Sequence, residues 1–455
     1  MSSTTITVTS ATTGIDHADD ITLSSVEAAN RLLQHNHDNW HILWDSVKAG
    51  GLHNHQVHYL LTDLALGVSP EQIQTAFDNN KAYQRAIEAG DEDRKHVITE
   101  ENFEDSLAHQ EYYAAWLDFF QDEINQKGWQ DVLIEYLFAE TPRADDLLGR
   151  MFEGAIHPII HLGFGVEFTQ PAIIAEALAQ AAIHRFEATS YLFRTQTMAA
   201  GNPSWTREKR LVDMFLTVRS NPLIKDSALL APGSFERLGN FFPQLPGPLI
   251  DIASSYTLDR SIGEDELQLR IAEMINVISW MASACQNPAK AVKFDFFLMH
   301  SVNCSFFLSV FGGLEFLTKH SKLRLVEFKV RMDLVMYATQ GCSELLTDEI
   351  TAYTPRRGNE SMNRTEVVER ALNIPCDGHV VKFIRALYHG STVCRPYEDS
   401  QDDVVASKFP IKGPEMRLKM ANMVLDSTED SRGVYDKWMR GPGFAAAWDV
   451  VPDRK

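Results

Sequence analysis

The segment "EYYAAWLDFFQDEINQKGWQDVLIEYLF", Glu111 to Phe138, decides how this chain folds. Its apolar residues return at three- and four-residue intervals, as in Tyr113, Trp116, Leu117, Phe120 and Ile124. A helix turns once every 3.6 residues, so that spacing lays them along one face. The same period runs through "QTAFDNNKAYQRAIE", "PAIIAEALAQAAIHRFEATSYLF", "LQLRIAEMINVISWMASACQ" and "LRLVEFKVRMDLVMYATQGCSELL". The alternation of a half-buried strand is scarce, and its best case, "TTITVTS" at Thr4 to Ser10, lies near the start. The chain therefore reads as all-α: a large multi-helix single domain with irregular, proline-rich loops.

The edges of that domain follow from local signals. Ser24 and Glu27 have the spacing of a capping box, which predicts a helix opening there. The Ser/Thr-rich residues 1–22 before it read as a disordered tail, leaving a helical domain over residues 23–455. The stretch "APGSFERLGNFFPQLPGPL", Ala231 to Leu249, carries four prolines. It reads as a long loop or as a boundary between halves 23–230 and 250–455. "RPYEDSQDDVVASKFPIKGPEM", Arg395 to Met416, is acidic and broken by prolines, and reads as a surface loop.

Composition excludes several functions. At 455 residues, 44% apolar and 23% charged, the chain matches an ordinary globular protein. A formal net charge of −20 repels phosphate backbones, so nucleic acid is not an expected partner. The short basic run "REKR", Arg207 to Arg210, reads as a solvated helix face. No segment supplies the ~18 predominantly apolar residues of a membrane helix. Five cysteines with no CxxC pair argue against a disulfide framework and a zinc knuckle. The first residues have no apolar run and no Lys or Arg, unlike signal and transit peptides. A cytoplasmic protein is expected.

Familiar cofactor motifs are missing. There is no GxGxxG after a strand, no GxxxxGK[ST], no GxSxG and no HExxH. No histidine has a Glu three residues before it, so the carboxylate–histidine pairs of di-iron bundles are absent as well. His109 and Glu111 have the HxE spacing of some metal triads, but on a helix they would diverge.

The positive signal is histidine placement. "GLHNHQVHYLLTDLALG" holds His53, His55 and His58, the last two three apart on one helix face. His157 and His161 are four apart, a spacing that lets two imidazoles converge on one ion, with Pro158 suited to a first helical turn. His300 sits in "FDFFLMHSVNCSFFLSVFGG", too apolar for a surface helix. In "CDGHVVKFIRALYHG" a helix is expected from Asp377, with His379 and Lys382 one turn apart. Each histidine alone reads as a hydrogen-bonded core residue, and His379, Lys382, Ala386 and His389 alone read as the wet stripe of a helix. Four segments each offering a histidine among apolar neighbours point instead to a shared metal site. Imidazole-rich sites suit iron, copper, nickel or zinc.

The blocks "HNHQVHYLLTDLALG", "HPIIHLGFGVEF", "DFFLMHSV" and "DGHVVKFIRAL" resemble those of the questin oxidase-like family, as do "SSVEAANRLLQHNHDNW" and "QEYYAAWLDFF". They recur in order from about residue 24 to about residue 390, and Trp438 with "GPGFAAAWDVVP" extends the likeness. The resemblance implies a helical oxygenase of fungal aromatic polyketide pathways that opens the quinone-bearing ring of anthraquinones, with O2 as co-substrate. It also implies Fe(II) held by four histidines and a carboxylated lysine. Carried onto this chain, the lysine is Lys382. The histidines are best matched by His58, His300, His379 and one or both of His157 and His161, with His157 favoured. A carbamate formed from the Lys382 amine and CO2 would give the site its anionic ligand without Asp or Glu.

Two other readings stay open. One is an NADPH-dependent Baeyer–Villiger-type monooxygenase on the same substrates, where NADPH can also enter through a reductase that supplies reduced substrate. The other is a helical protein that binds hydrophobic metabolites without turnover. Phe296, Phe297 and Trp280 read as core, or as walls of a flat pocket.

Overall fold

The computed structural model describes residues 2–44, 52–87, 96–202, 209–231, 233, 236–356, 363–431 and 434–454. Among them the chain is helical and forms no strand, only isolated bridges such as Leu43 with His53. The principal helices are α1 (Leu23–Asn39), α2 (Gln56–Ala65), α3 (Tyr113–Lys127), α4 (Glu153–Glu167) and α5 (Pro171–Ile183). They continue with α6 (Glu264–Ala284), α7 (Phe296–Gly312), α8 (Lys319–Thr339) and α9 (His379–Glu398). No helix among the described residues is long and apolar enough to cross a membrane.

The chain divides into two compact units. Unit 1 comprises residues 1–190, 314–317 and 375–382, and unit 2 the remainder. The sequence suggested one domain, with the proline-rich stretch 231–249 as a long loop or a boundary between halves. The first division between the units falls after Ser190, inside the helix Glu187–Ala200. Pro243 and Pro248 occupy first turns of short helices, where proline's missing N–H costs nothing. Pro232 lies outside the described residues.

Unit 1 is built around α5. Every residue of "PAIIAEALAQAAI" is buried, and its six alanines let α3 and α4 approach closely. Helix α2 packs on α1 and α4. The N-cap of α1 is Thr22, whose hydroxyl accepts from the Ser25 amide, two residues ahead of the expected Ser24 cap. Residues 2–22, expected to be disordered, lie against this unit. The amides of Ile6, Thr7 and Val8 donate to side-chain oxygens of Gln34, Gln170 and Asn30 at 2.7–2.8 Å. The strand-like alternation there buries Ile6 and Val8, and side-chain amides take the place of a pairing strand.

In unit 2, α6, α7 and α8 pack against one another. Trp280, Phe296 and Phe297 are buried there, and the Trp280 Nε1 donates to Thr347 Oγ1 at 2.9 Å. Helix α8 also buries the ion pair Lys329–Asp333, one turn apart at 2.5 Å. All five cysteines are buried free thiols.

Candidate metal centre

Three buried histidines of unit 1 meet: His55, His157 and His379. One ring nitrogen from each lies within 4.8 Å of the others. His55 does not share a helix face with His58 as the spacing predicted. It is the N-cap residue of α2, with φ −100° and ψ 5°, so its ring leaves the helix in another direction. His157 follows a left-handed turn in which Gly154, Ala155 and Ile156 have φ of 53°, 54° and 61°. Such angles are strained for a β-branched residue. A Cβ on Gly154 would come within 2.6–2.7 Å of His184 and His53. Regular helix resumes at His157, and Pro158 sits where its missing donor is harmless. His379 opens α9 after Gly378, whose φ is 89°. The helix thus starts two residues later than Asp377, because Gly378 turns the backbone out of helical geometry.

Asp377 sets the orientation of two of these rings. Its carboxylate accepts from His379 Nδ1 at 2.6 Å and from His55 Nδ1 at 3.1 Å. Burial alone would raise this carboxyl, but the two imidazoles hold it well below the usual carboxylate range. An ionised carboxylate only accepts, so both Nδ1 atoms carry the protons and both Nε2 atoms carry lone pairs. His157 does the same by another route, donating from Nδ1 to the Gly154 carbonyl at 2.5 Å. Held so as neutral rings, His55 and His157 would face each other with Nε2 lone pairs only 2.9 Å apart. Two acceptors at that distance repel unless a cation lies between them. Burial and nearby positive charge push His55 down to about 3, and burial also lowers His379. Neutral imidazoles with their second nitrogen tied to a carboxylate or carbonyl are what a divalent transition metal requires. The donor set fits such an ion.

Lys382 stands one turn along α9 from His379. Burial pushes its amine down to about 8, against the pull of Asp377. Desolvation disfavours the ammonium, so this lysine offers a neutral amine far more readily than a surface lysine does.

His58 and His161, both candidates from the sequence, are not part of the trio. His58 Nε2 pairs with His161 Nδ1 at 3.2 Å. His161 Nε2 donates to Glu176 at 2.7 Å, and the other Glu176 oxygen accepts from His37 Nδ1 at 2.6 Å. Burial works against ionisation of Glu176, but these two hydrogen bonds outweigh it and hold the carboxyl at about 2. The i, i+4 spacing of His157 and His161 is real, yet the two rings take different partners.

His300 lies in unit 2, fully buried on α7, and its Nδ1 donates to the Phe296 carbonyl one turn earlier at 2.6 Å. His109 and Glu111 form an exposed surface pair at 3.0 Å. Of "REKR", Arg207 and Glu208 lie outside the described residues; Arg210 pairs with Asp213 on the surface. Residue spacing does not assign His55, Asp377 or Glu176 to these clusters. The signal for Asp377 was present, an acid two residues before His379, but it was read as a helix start.

Residues 52–387 match the questin oxidase-like family. The chain belongs to that family. His55, His157, His379, Asp377 and Lys382 all fall inside the matched span. Among similar proteins, a Baeyer–Villiger oxidase of Pestalotiopsis fici is 38% identical, covering 94% of this chain and 94% of the relative. A questin oxidase of Aspergillus fumigatus is 38% identical over the same shares. A Baeyer–Villiger monooxygenase of Aspergillus aculeatus is 37% identical, over 96% of this chain and 92% of the relative. Likeness of this depth along nearly the whole length places the family's fold on the whole chain.

Proposed function

We propose that this member of the questin oxidase-like family is a non-haem Fe(II) oxygenase that cleaves a ring carbon–carbon bond of an anthraquinone-type aromatic polyketide. One observation carries the metal: three buried imidazoles with their Nδ1 protons committed elsewhere each bring a ring nitrogen within 4.8 Å of the others. The names of the relatives, questin oxidase and Baeyer–Villiger oxidase, support an oxidoreductase acting on such rings. His55, His157 and His379 would hold the ion. His300 is the fourth histidine on the sequence resemblance alone. Lys382 would add an anionic oxygen as its carbamate, formed when the neutral amine takes up CO2 and releases a proton. Bound Fe(II) would supply the redox chemistry that lets dioxygen react with a singlet organic ring.

The chain's own residues do the rest. Asp377 locks the His55 and His379 rings. The Gly154 carbonyl locks His157. Burial favours the neutral form of His55 and His379 and keeps water away from all three rings. A Baeyer–Villiger monooxygenase using NADPH is the second reading, favoured by the relatives' names. The test is oxygen uptake with a hydroxyanthraquinone in its reduced form and labelled dioxygen. The iron reading predicts turnover without NADPH, two labelled oxygens in the ring-opened product, and loss of activity with a chelator. Turnover that needs NADPH, ignores chelator and incorporates one labelled atom would establish the second reading. Binding without oxygen uptake would make the chain a metabolite-binding protein.

A further inference from the structure

His58, His161, Glu176 and His37 form one buried hydrogen-bonded chain around a single carboxylate. Glu176 accepts at both oxygens, from His37 Nδ1 and from His161 Nε2. With Nε2 donating to Glu176, His161 turns Nδ1 toward His58 Nε2, 3.2 Å away. The tautomer of His58 that donates across this contact from Nε2 keeps its own lone pair on Nδ1. That atom is buried and has no hydrogen-bond partner. The ring cannot easily turn to find one, because it stacks on Phe164 at 5.0 Å and 16°. Buried acceptors without partners are rare in folded proteins, and one beside a reaction centre marks where a ligand's donor belongs. The His58 ring lies 5.5 Å from His55 and 6.4 Å from His157, centroid to centroid.

We propose that His58 Nδ1 accepts a hydrogen bond from a phenol hydroxyl of the substrate, and that Glu176 is the positioning residue that keeps it an acceptor. This rests on the hydroxyanthraquinone reading given above. A phenol donates to such a nitrogen, and its methyl ether cannot. Glu176→Gln offers one acceptor and one donor. With the amide nitrogen facing His161, the whole chain inverts: His161 carries its proton on Nδ1, and His58 carries one on Nδ1. A phenol then meets a donor instead of an acceptor.

The experiment is an anaerobic titration of iron-loaded protein with a monohydroxyanthraquinone, its hydroxyl distant from the quinone carbonyl, and with its methyl ether. The wild type should prefer the phenol by about tenfold, as one hydrogen bond implies. The preference should fall to about one in Glu176→Gln and in His58→Phe, whose ring keeps the stack on Phe164, while iron content stays unchanged. No preference in the wild type, or a preference that a folded variant keeps, overturns the assignment. Iron lost in His58→Phe also overturns it, because His58 is then a metal ligand. Nitrogen-15 spectra of histidine-labelled wild type decide it without any variant, since a proton on His58 Nδ1 contradicts it. If the wild type holds no iron, the iron reading fails, and the phenol preference of that metal-free protein still decides His58.

Discussion

Replacing Asp377 with Asn should cost this protein metal affinity without costing its fold. The carboxylate accepts from His379 Nδ1 at 2.6 Å and from His55 Nδ1 at 3.1 Å, and all three groups are buried. Asn keeps the shape but offers one acceptor and one donor. Its amide can satisfy one N–H; the other imidazole must move its proton to Nε2 or leave a buried donor unmatched. Either outcome spoils one of three ligands in unit 1. A buried hydrogen bond to a charged group contributes ~1.5–3 kcal/mol. Loss of an outer carboxylate partner generally lowers metal affinity 10–100-fold, about 1.4–2.7 kcal/mol. The two ranges meet near about 2 kcal/mol, a drop of roughly 30-fold. Anaerobic competition for Fe(II) against a chelator of known affinity measures it, with circular dichroism as the check on folding. A folded Asp377→Asn protein that binds Fe(II) within about twofold of the wild type would refute the argument that this carboxylate sets the ligand tautomers.

Other consequences follow from the same geometry. Carbamate forms only from a neutral amine, and burial puts the Lys382 amine at about 8. Uptake of carbon-13-labelled CO2 by metal-free protein should therefore rise as pH climbs through about 8 and vanish in Lys382→Ala; uptake that is flat with pH contradicts this. Gly378→Ala should cost about 2–4 kcal/mol in urea unfolding, from a left-handed backbone and overpacking together. Its φ is 89° and a new Cβ would stand 2.8 Å from that of Tyr59; a loss below about 1 kcal/mol contradicts the strain. Asp333→Asn should cost ~3–5 kcal/mol, because it strips a fully buried lysine of its ion-pair partner. The double change Lys329→Met with Asp333→Leu should recover most of that, and equal losses in both proteins would show that burial of the lone charge is not the cause.

The helical architecture was legible because period alone decides it. "PAIIAEALAQAAI" and the Glu111–Phe138 segment keep apolar residues where helices need them, and helices formed there. The pairing of histidines was less legible. His55 and His58 look equivalent at i, i+3, but α2 starts at Gln56, so only His58 obeys helical geometry. His157 and His161 look like one bidentate pair, but Glu176 on the next helix captures His161. Spacing shows which face a residue occupies and not which partner waits there. Asp377 was hidden for the same reason: its role depends on two imidazoles, one of them more than three hundred residues away in sequence. The extended start at Ile6–Val8 was missed because its backbone partners are side-chain amides of Asn30, Gln34 and Gln170, which no local pattern announces.

The most direct test of the central claim is metal content by mass spectrometry on protein purified without oxygen and without an affinity tag. The account predicts iron close to one per chain, lost in His379→Ala and in His157→Ala. Protein that turns over hydroxyanthraquinone while holding no transition metal would contradict it.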